Sequence, residues 1–332
     1  GYDKLPAVVP VVDRGRVEDL PHRRARERVR DHLVYGGFCE AYNWVFLAPE
    51  ENRLFQEDPQ TITLKNPLGR EYSEMRESLL PPLLRNTGAN LRSGESRIAL
   101  FECGRTFSRK GSEIVERDRL ALVLAGQETR ASWRTPAREV DLFSLETTVA
   151  GLGERLGWHV SFAPAGNHGA IPGHALEVFL RRAEQPRRAG WLGEIGPEAL
   201  VRYGIERPVF AAELDLTLLG EAAASPGFVP WNRLPLATRD FSFLLPAGIT
   251  WGDFSGRLAE VRPPELETVG LMDLYRGKNV PAGTVSMTVA FAYRAEGRTL
   301  SGEEITALHT RLTERLTADL GLMPRTIQGV KS

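Results

Sequence analysis

The chain has 332 residues, 42% hydrophobic and 26% charged, and its 42 lysines and arginines nearly cancel 43 aspartates and glutamates to a formal net charge of -1. This length exceeds one typical domain and can bury sizeable cores. The near-neutral balance excludes a protein that wraps nucleic acid along its whole surface and leaves room for a local patch. Two cysteines, Cys39 and Cys103, match neither a disulfide framework nor the paired spacing of a structural zinc site, so reduced, buried thiols are expected. No apolar run approaches ~18 residues, and Gly1 to Pro6 has neither the basic region nor the apolar core of a signal peptide. A cytoplasmic protein is expected.

From about Val12 to Leu219 helices and strands mix without a repeat. Asp19 and Pro21 open an amphipathic helix with Ala25, Val29 and Leu33 on its apolar stripe, and Gly36 and Gly37 stop it. Its arginines Arg23, Arg24, Arg26, Arg28 and Arg30 alternate with Glu27 and Asp31, the pattern of a solvated or subunit-facing surface more than of a phosphate track. A helix to about Arg92 and a strand through Leu100 to Phe107 follow, then a strand from Arg119 to Gly126 and a helix from Asp141 to Leu156. Further strands are expected near Trp158 to Phe162, Ala175 to Leu180, Gly190 to Ile195 and Val209 to Leu216. Ala222 to Pro230, rich in Ala, Pro and Gly, reads as a linker.

Three motifs in this stretch read as structural. Gly151, Gly153 and Gly157 are one residue too widely spaced for a dinucleotide loop and sit at the end of a helix, where glycine terminates. His168 and His174 have no Cys or carboxylate at ligand spacing and fit a turn entering a strand. Glu102 and Cys103 are adjacent on a strand and face opposite ways, so they cannot act as base and nucleophile together.

The segment 238–328 is the most informative. A strand near Asp240 to Leu245 puts Phe241, Phe243 and Leu245 on one side and Asp240 and Ser242 on the other. The next, Glu267 to Tyr275, sets Met272 and Leu274 against Asp273 and Tyr275. A third, Thr284 to Arg294, alternates Val285, Met287, Val289, Phe291 and Tyr293 with the small or polar Ser286, Thr288, Ala290 and Ala292. Two amphipathic helices supply cover. Thr250 with Asp253 opens the first, which buries Trp251, Phe254, Leu258 and Val261 and ends at Pro263-Pro264. Ser301 with Glu304 opens the second, which buries Ile305, Leu308, Leu312 and Leu316 and stops at Gly321. A last strand, Met323 to Gln328, completes βαββαβ. The helices cover one face and leave the other polar and open.

Arg239-Asp240-Phe241, Asp273-Leu274-Tyr275-Arg276-Gly277-Lys278 and Arg298-Thr299-Leu300 followed by Ala307-Leu308-His309 resemble, in order, the C-terminal ferredoxin-fold anticodon-binding domain of the phenylalanyl-tRNA synthetase beta subunit. The resemblance implies a domain that holds the anticodon of phenylalanine tRNA. On physical grounds Tyr275 would stack on an anticodon base, worth about 1 to 3 kcal/mol, and Asp273 would accept from a base edge. Arg276, Lys278 and Arg239 would meet phosphates, and Asp240, Ser286 and Thr288 complete the candidate tRNA-binding set. A strand tyrosine can equally be half buried beside its neighbour, Asp273 can pair with Arg276 on the surface, and Arg239 with Asp240 can simply open a strand.

Asn66 to Pro81, Leu100 to Phe107, Trp133, Asp141, Phe143 and Gly193 to Pro197 resemble the catalytic-like core of the same subunit, although Gly196 stands where the family often has His. The implied fold is α+β, a class II synthetase-like antiparallel sheet core with helices followed by a ferredoxin-like βαββαβ domain. Expected boundaries are 1–14 for the end of an upstream domain, 15–221 for a non-catalytic core, 222–237 for a linker and 238–328 for the anticodon-binding domain. Gly1 to Pro6 resembles the segment after a helix-turn-helix-like domain, which implies a C-terminal portion with the family's magnesium-binding carboxylates and editing domain upstream. Activating an amino acid with ATP needs converging arginines and magnesium ligands. The nearest arginines, Arg105 and Arg202, do not sit in the full class II pattern, so an inert core is expected, with no catalytic or metal residues. The resemblance implies that ATP and magnesium are used by the holoenzyme and none is bound by this fragment. It also implies an alpha subunit partner in a heterotetramer of two alpha and two beta chains, with tRNA(Phe) as the nucleic-acid partner. A stand-alone RNA-binding or scaffolding protein of the same architecture is the competing expectation.

Overall fold

A computed structural model describes residues 2–6, 21–55, 60–166, 168–182, 185–221, 232–278 and 280–325. It divides into two units, 1–227 and 228–332.

In the first unit, α1 (Pro21–Tyr35) leads to β1 (Cys39–Glu40), β2 (Phe46–Leu47), α2 (Pro49–Asn52), β3 (Glu74–Met75) and α3 (Leu80–Arg92). The long hairpin of β4 (Arg97–Lys110) and β5 (Glu113–Thr129) follows, then β6 (Arg138–Glu139) and α4 (Leu142–Arg155). The unit continues through β7 (His159–Pro164), β8 (Ala170–Arg181), β9 (Arg187–Ile195), α5 (Pro197–Arg202), β10 (Val209–Asp215) and α6 (Leu216–Gly220). The main sheet runs β1-β4-β5-β10-β9-β8-β7, antiparallel throughout except for β1 against β4. Its centre is buried on both faces, which explains the unbroken apolar run Leu120 to Ala125 where alternation would mark a one-sided strand. One core joins Phe101, Leu122 and Leu192 to Val29 and Leu33 of α1 and Leu145, Val149 and Leu152 of α4. The other joins Ile98, Val123 and Ala211 to Leu80, Leu83 and Leu84 of α3.

The predicted helices form for local reasons. Asp141 caps α4 by accepting from the Ser144 amide at 2.7 Å. Gly157, with φ of 79°, follows the last turn. Gly153 lies inside that helix, and a Cβ there would overlap Val160, so close packing requires it where termination was expected. The buried carboxylates Glu102 and Glu51 of this unit are paired, as burial demands. Arg76 Nη1 donates to Glu102 at 2.7 Å and Asn43 to the other Glu102 oxygen at 2.7 Å. Arg85 and the Tyr203 hydroxyl both donate to Glu51. Glu102 and Cys103 do face opposite cores, and burial pushes the Cys103 thiol up to about 12.

Two expectations fail here. Cys39 is exposed, because β1 is an edge strand paired only to β4. The histidines do have carboxylate partners: His168 meets Glu177 at 2.9 Å and His174 meets Glu194 at 2.7 Å. The His174 contact comes from pairing of β8 with β9 across the sheet, and the His168 contact from the bend before β8 reaching back to that strand, neither of which spacing along the chain reveals. Among the described residues no group of three or more His, Cys, Asp and Glu is placed to hold a metal.

The second unit follows the split βαββαβ order: β11 (Ala237–Pro246), α7 (Trp251–Val261), β12 (Leu266–Tyr275), β13 (Thr284–Tyr293), α8 (Gly302–Leu320) and β14 (Met323–Pro324). The sheet order is β12-β13-β11-β14. Both helices carry the expected capping boxes, Thr250 with Asp253 and Ser301 with Glu304, and Gly321 ends α8 at φ of 61°. The Arg298 guanidinium and the Ser301 amide hold the Glu304 carboxyl down to about 2. The core collects on one side only: Phe243, Leu245, Met287, Val289, Phe291 and Tyr293 pack on Phe254, Leu258, Ile305, Leu312 and Leu316. β14 is shorter than the expected Met323 to Gln328; its pairing with β11 covers Met323 and Pro324, and 326–328 lie outside the described residues. Most of the expected linker, 222–231, also lies outside them.

Candidate nucleic-acid interface

The face of the second sheet opposite α7 and α8 is built by cross-strand pairing, since directly opposed residues point the same way. β13 contributes Ser286, Thr288, Ala290 and Ala292. Asp240 pairs with Ala290, Ser242 and Asp273 both pair with Thr288, and Tyr275 pairs with Ser286. Asp240, Asp273, Tyr275, Ser286 and Thr288 therefore share one face. Asp240 and Asp273 are exposed there and Tyr275 is 46% exposed, so the phenol is outside the core.

A bulge sets this arrangement. Leu271 pairs with the core residue Val289, yet Asp273 pairs with Thr288 on the opposite face, which leaves Met272 as an extra residue. Without that shift, strict alternation from Leu271 would turn Asp273 and Tyr275 toward the helices. The expectation that Met272 and Leu274 share a covered side is corrected accordingly: Met272 is the bulge residue, and it and Leu274 are 67% and 46% exposed at the sheet edge.

Two candidate residues sit differently from expectation. Arg239 pairs with Phe291, so it belongs to the helix-covered side at the start of β11, and its Nη1 donates to the Thr238 carbonyl at 2.9 Å. Period two already ties Arg239 to Phe241; adjacency to Asp240 in the motif obscured this. Ser286 is on the right face but is only 6% exposed. It is covered in part by Arg325, whose Nη1 donates to the Ser286 hydroxyl at 2.7 Å. Sequence reading missed Arg325 altogether, because only the pairing of β14 with β11 carries it over this face.

Ser242 and Thr288 share a hydrogen bond of 2.9 Å, satisfying both hydroxyls beneath the surface. The Tyr275 ring folds back over its own turn: its hydroxyl donates weakly to the Lys278 carbonyl at 3.4 Å, and a Cβ on Gly277 would come within 2.5 Å of the phenol oxygen. Asp273, Arg276 and Lys278 are exposed and, among the described residues, have no side-chain hydrogen bond or ion pair, so Asp273 does not pair with Arg276. Asn279 lies outside the described residues. The face thus offers an aromatic ring, a free acceptor and free cations at one end of an otherwise small-residue sheet.

Arg105 and Arg202 are placed in separate clefts. Arg105 pairs with Glu116 at 2.8 Å and Asp118 at 3.4 Å on the long hairpin. Arg202 ends α5 and lines a separate cleft with Glu51, Arg85, Arg92 and Tyr203.

A family model described as the phenylalanyl tRNA synthetase beta chain CLM domain matches residues 5–216, and one described as the ferredoxin-fold anticodon binding domain matches residues 232–325. Among curated proteins, the chain is similar to the phenylalanine–tRNA ligase beta subunit of Syntrophotalea carbinolica, 32% identical over 337 residues, covering 97% of this chain and 41% of that protein. It is likewise similar to the subunits of the same name from Moorella thermoacetica, 31% identical, and Methylococcus capsulatus, 30% identical, each match covering 97% of this chain and 40% of the relative. The chain spans about two fifths of the length of the curated relatives it matches.

Proposed function

We propose, from the premise that this chain belongs to the phenylalanyl-tRNA synthetase beta-chain family, that it is the tRNA-holding, non-catalytic part of a phenylalanine–tRNA ligase. The observation that carries the proposal is the bare sheet face with Asp273 and Tyr275 side by side across from the helices. A single-stranded anticodon loop presents unstacked bases with polar edges, and the face has a matching part for each. Tyr275 supplies the stacking surface, Asp273 an acceptor for a base amino or imino group, and Arg276 and Lys278 the charge for the backbone. Asp240, Ser286 and Thr288 keep the sheet between them low and polar so that a base can approach. Arg239, on the other face, drops out of the phosphate-contacting set.

The division 15–221, 222–237 and 238–328 then separates two tasks. The first is a class II synthetase-like core that scaffolds a catalytic alpha subunit in an assembly of two alpha and two beta chains. The second is the reading of tRNA(Phe). ATP and magnesium serve the holoenzyme. Arg105 is engaged by Glu116 and Asp118 while Arg202 lines another cleft, so these two do not converge on one triphosphate, and no step of the activation is assigned to this chain. The setting of such an enzyme is the cytoplasm, and among the described residues no helix is long and apolar enough to cross a membrane.

Replacing Tyr275 with Ala tests the reading. The expected outcome is a loss of about 1 to 3 kcal/mol in tRNA(Phe) affinity, with phenylalanine-dependent ATP exchange by the complex with the alpha subunit unchanged. Wild-type affinity in the Tyr275→Ala chain would sink the assignment of this face. Failure of the chain to co-migrate with an alpha subunit would favour a stand-alone RNA-binding protein.

A further inference from the structure

We infer that Arg325 is a phosphate-binding residue of the RNA face, seated there by Ser286; the inference rests on the reading of this face as the tRNA site. The chain reaches position 325 through β14. The Arg325 amide donates to the Ser242 carbonyl at 2.8 Å, which continues the β11 pairing by one residue past Pro324. That register puts Arg325 on the side of Ser242, the face away from the helices. Its side chain then crosses β11, and Nη1 donates to the Ser286 hydroxyl at 2.7 Å. Ser286 is itself the cross-strand partner of Tyr275. The seat of the guanidinium and the root of the stacking ring are therefore directly opposed residues, with Cα atoms about 4.5 to 5.5 Å apart.

The chemistry of the seat is lopsided. A guanidinium has five N–H donors in a fixed fork, and the Ser286 hydroxyl takes one from Nη1. Among the described residues no carboxylate pairs with Arg325, and the residue is exposed. A permanent cation is thus fixed in direction by a neutral hydroxyl, with most of its donors offered outward over a polar face. A phosphodiester oxygen pair fits that fork, and bidentate recognition of phosphate is what arginine does better than lysine. Arg276 and Lys278 sit on the turn after Tyr275, whereas Arg325 arrives from the far edge strand. A single strand whose base rests on the phenol then has charge on both sides of that base.

The test measures binding of the full chain to the anticodon stem-loop of tRNA(Phe) over a range of salt. Wild-type binding is read first; its absence would bring down the reading of the face, and this inference with it. With wild-type binding in hand, Arg325→Gln is expected to weaken affinity about tenfold and to lower the slope of log affinity against log salt by about 0.7, the value for one single-strand phosphate. Arg325→Lys should keep the slope and still lose affinity, because a point charge replaces the fork. An unchanged slope in Arg325→Gln, with only a lower unfolding midpoint, would make Arg325 a staple for the last strand and overturn the inference. Ser286→Ala leaves charge and strand in place and guards against a folding failure: weaker binding at unchanged slope is expected, and wild-type affinity would overturn the seating.

Discussion

The two large sheets of this protein meet the same problem, an apolar strand surface that needs cover, and solve it differently. In the N-terminal sheet adjacent residues on one strand are both buried: Leu122 belongs to the core under α1 and α4, Val123 to the core under α3. In the C-terminal sheet Phe243 is in the core while Asp240, three residues back along the strand and on the other face, is exposed. A sheet closed on both sides can hold other elements in place but has no surface for a polymer. A sheet closed on one side gives up that stability and gains a platform. The difference separates a sheet closed on both faces from one left open on one side before any sequence motif is invoked.

The largest effects that could break this contrast lie in the cores. On β4, Phe101→Ala should cost about 3 to 5 kcal/mol and Ile98→Ala about 2 to 5 kcal/mol, because each faces a different filled core. In the C-terminal sheet Phe243→Ala should also cost about 3 to 5 kcal/mol. Thr288→Ala on the opposite face should cost no more than about 0.5 to 1.5 kcal/mol, the net worth of its hydrogen bond to Ser242. Urea unfolding of the four variants checks the pattern, and a Thr288 penalty equal to that of Phe243 would mean that the supposed platform is packed.

A smaller effect sharpens the covered side. His309 on α8 shares a hydrogen bond of 3.0 Å with the Tyr293 hydroxyl and lies edge-on to Phe241 and Phe291. Burial, reinforced by the Arg239 charge and opposed by Asp240, holds its imidazole below the usual range. A folded-state value below the unfolded ~6.5 means that the folded form resists protonation, so stability is full above that pH and declines as pH falls through it. The unfolding midpoint should drop between pH 7.5 and pH 5.5, and the drop should shrink in His309→Gln; identical pH profiles would remove this histidine from the account. The smallest effect belongs to the rim: Lys278→Ala should lower the salt slope of tRNA binding by about 0.7 and leave the unfolding midpoint alone.

Legibility in the sequence follows the range of the interactions. The capping boxes at Thr250 and Ser301, the stop at Gly321 and the stripe of α1 are local, decided within a turn of helix, and they could be read directly. Asp273 and Tyr275 could be placed on one face because two steps along a strand restore the direction of a side chain. The bulge at Met272 could not, since only pairing to β13 exposes the extra residue. Arg325 escaped for the same reason, its position depending on β11 some 80 residues earlier in the chain. The partner of His174 likewise comes from across a sheet, while His168 reaches Glu177 of the strand that follows it. Arg239 is the contrary case, a residue whose side period two fixed and a motif obscured.

The displaced register of β12 has a second consequence. This strand is the outermost of its sheet and carries Leu271, Met272 and Leu274, all at least 39% exposed. A straight strand of that kind would be a template for another chain to zip onto by backbone pairing, the route to fibrils and sticky dimers. The ladder of β12 is instead broken twice, between Leu266 and Thr268 and again between Leu271 and Asp273. An incoming strand would meet a kinked, out-of-phase row of donors and acceptors. The irregularity that turns the Tyr275 ring to the open face also guards an oily margin against self-association.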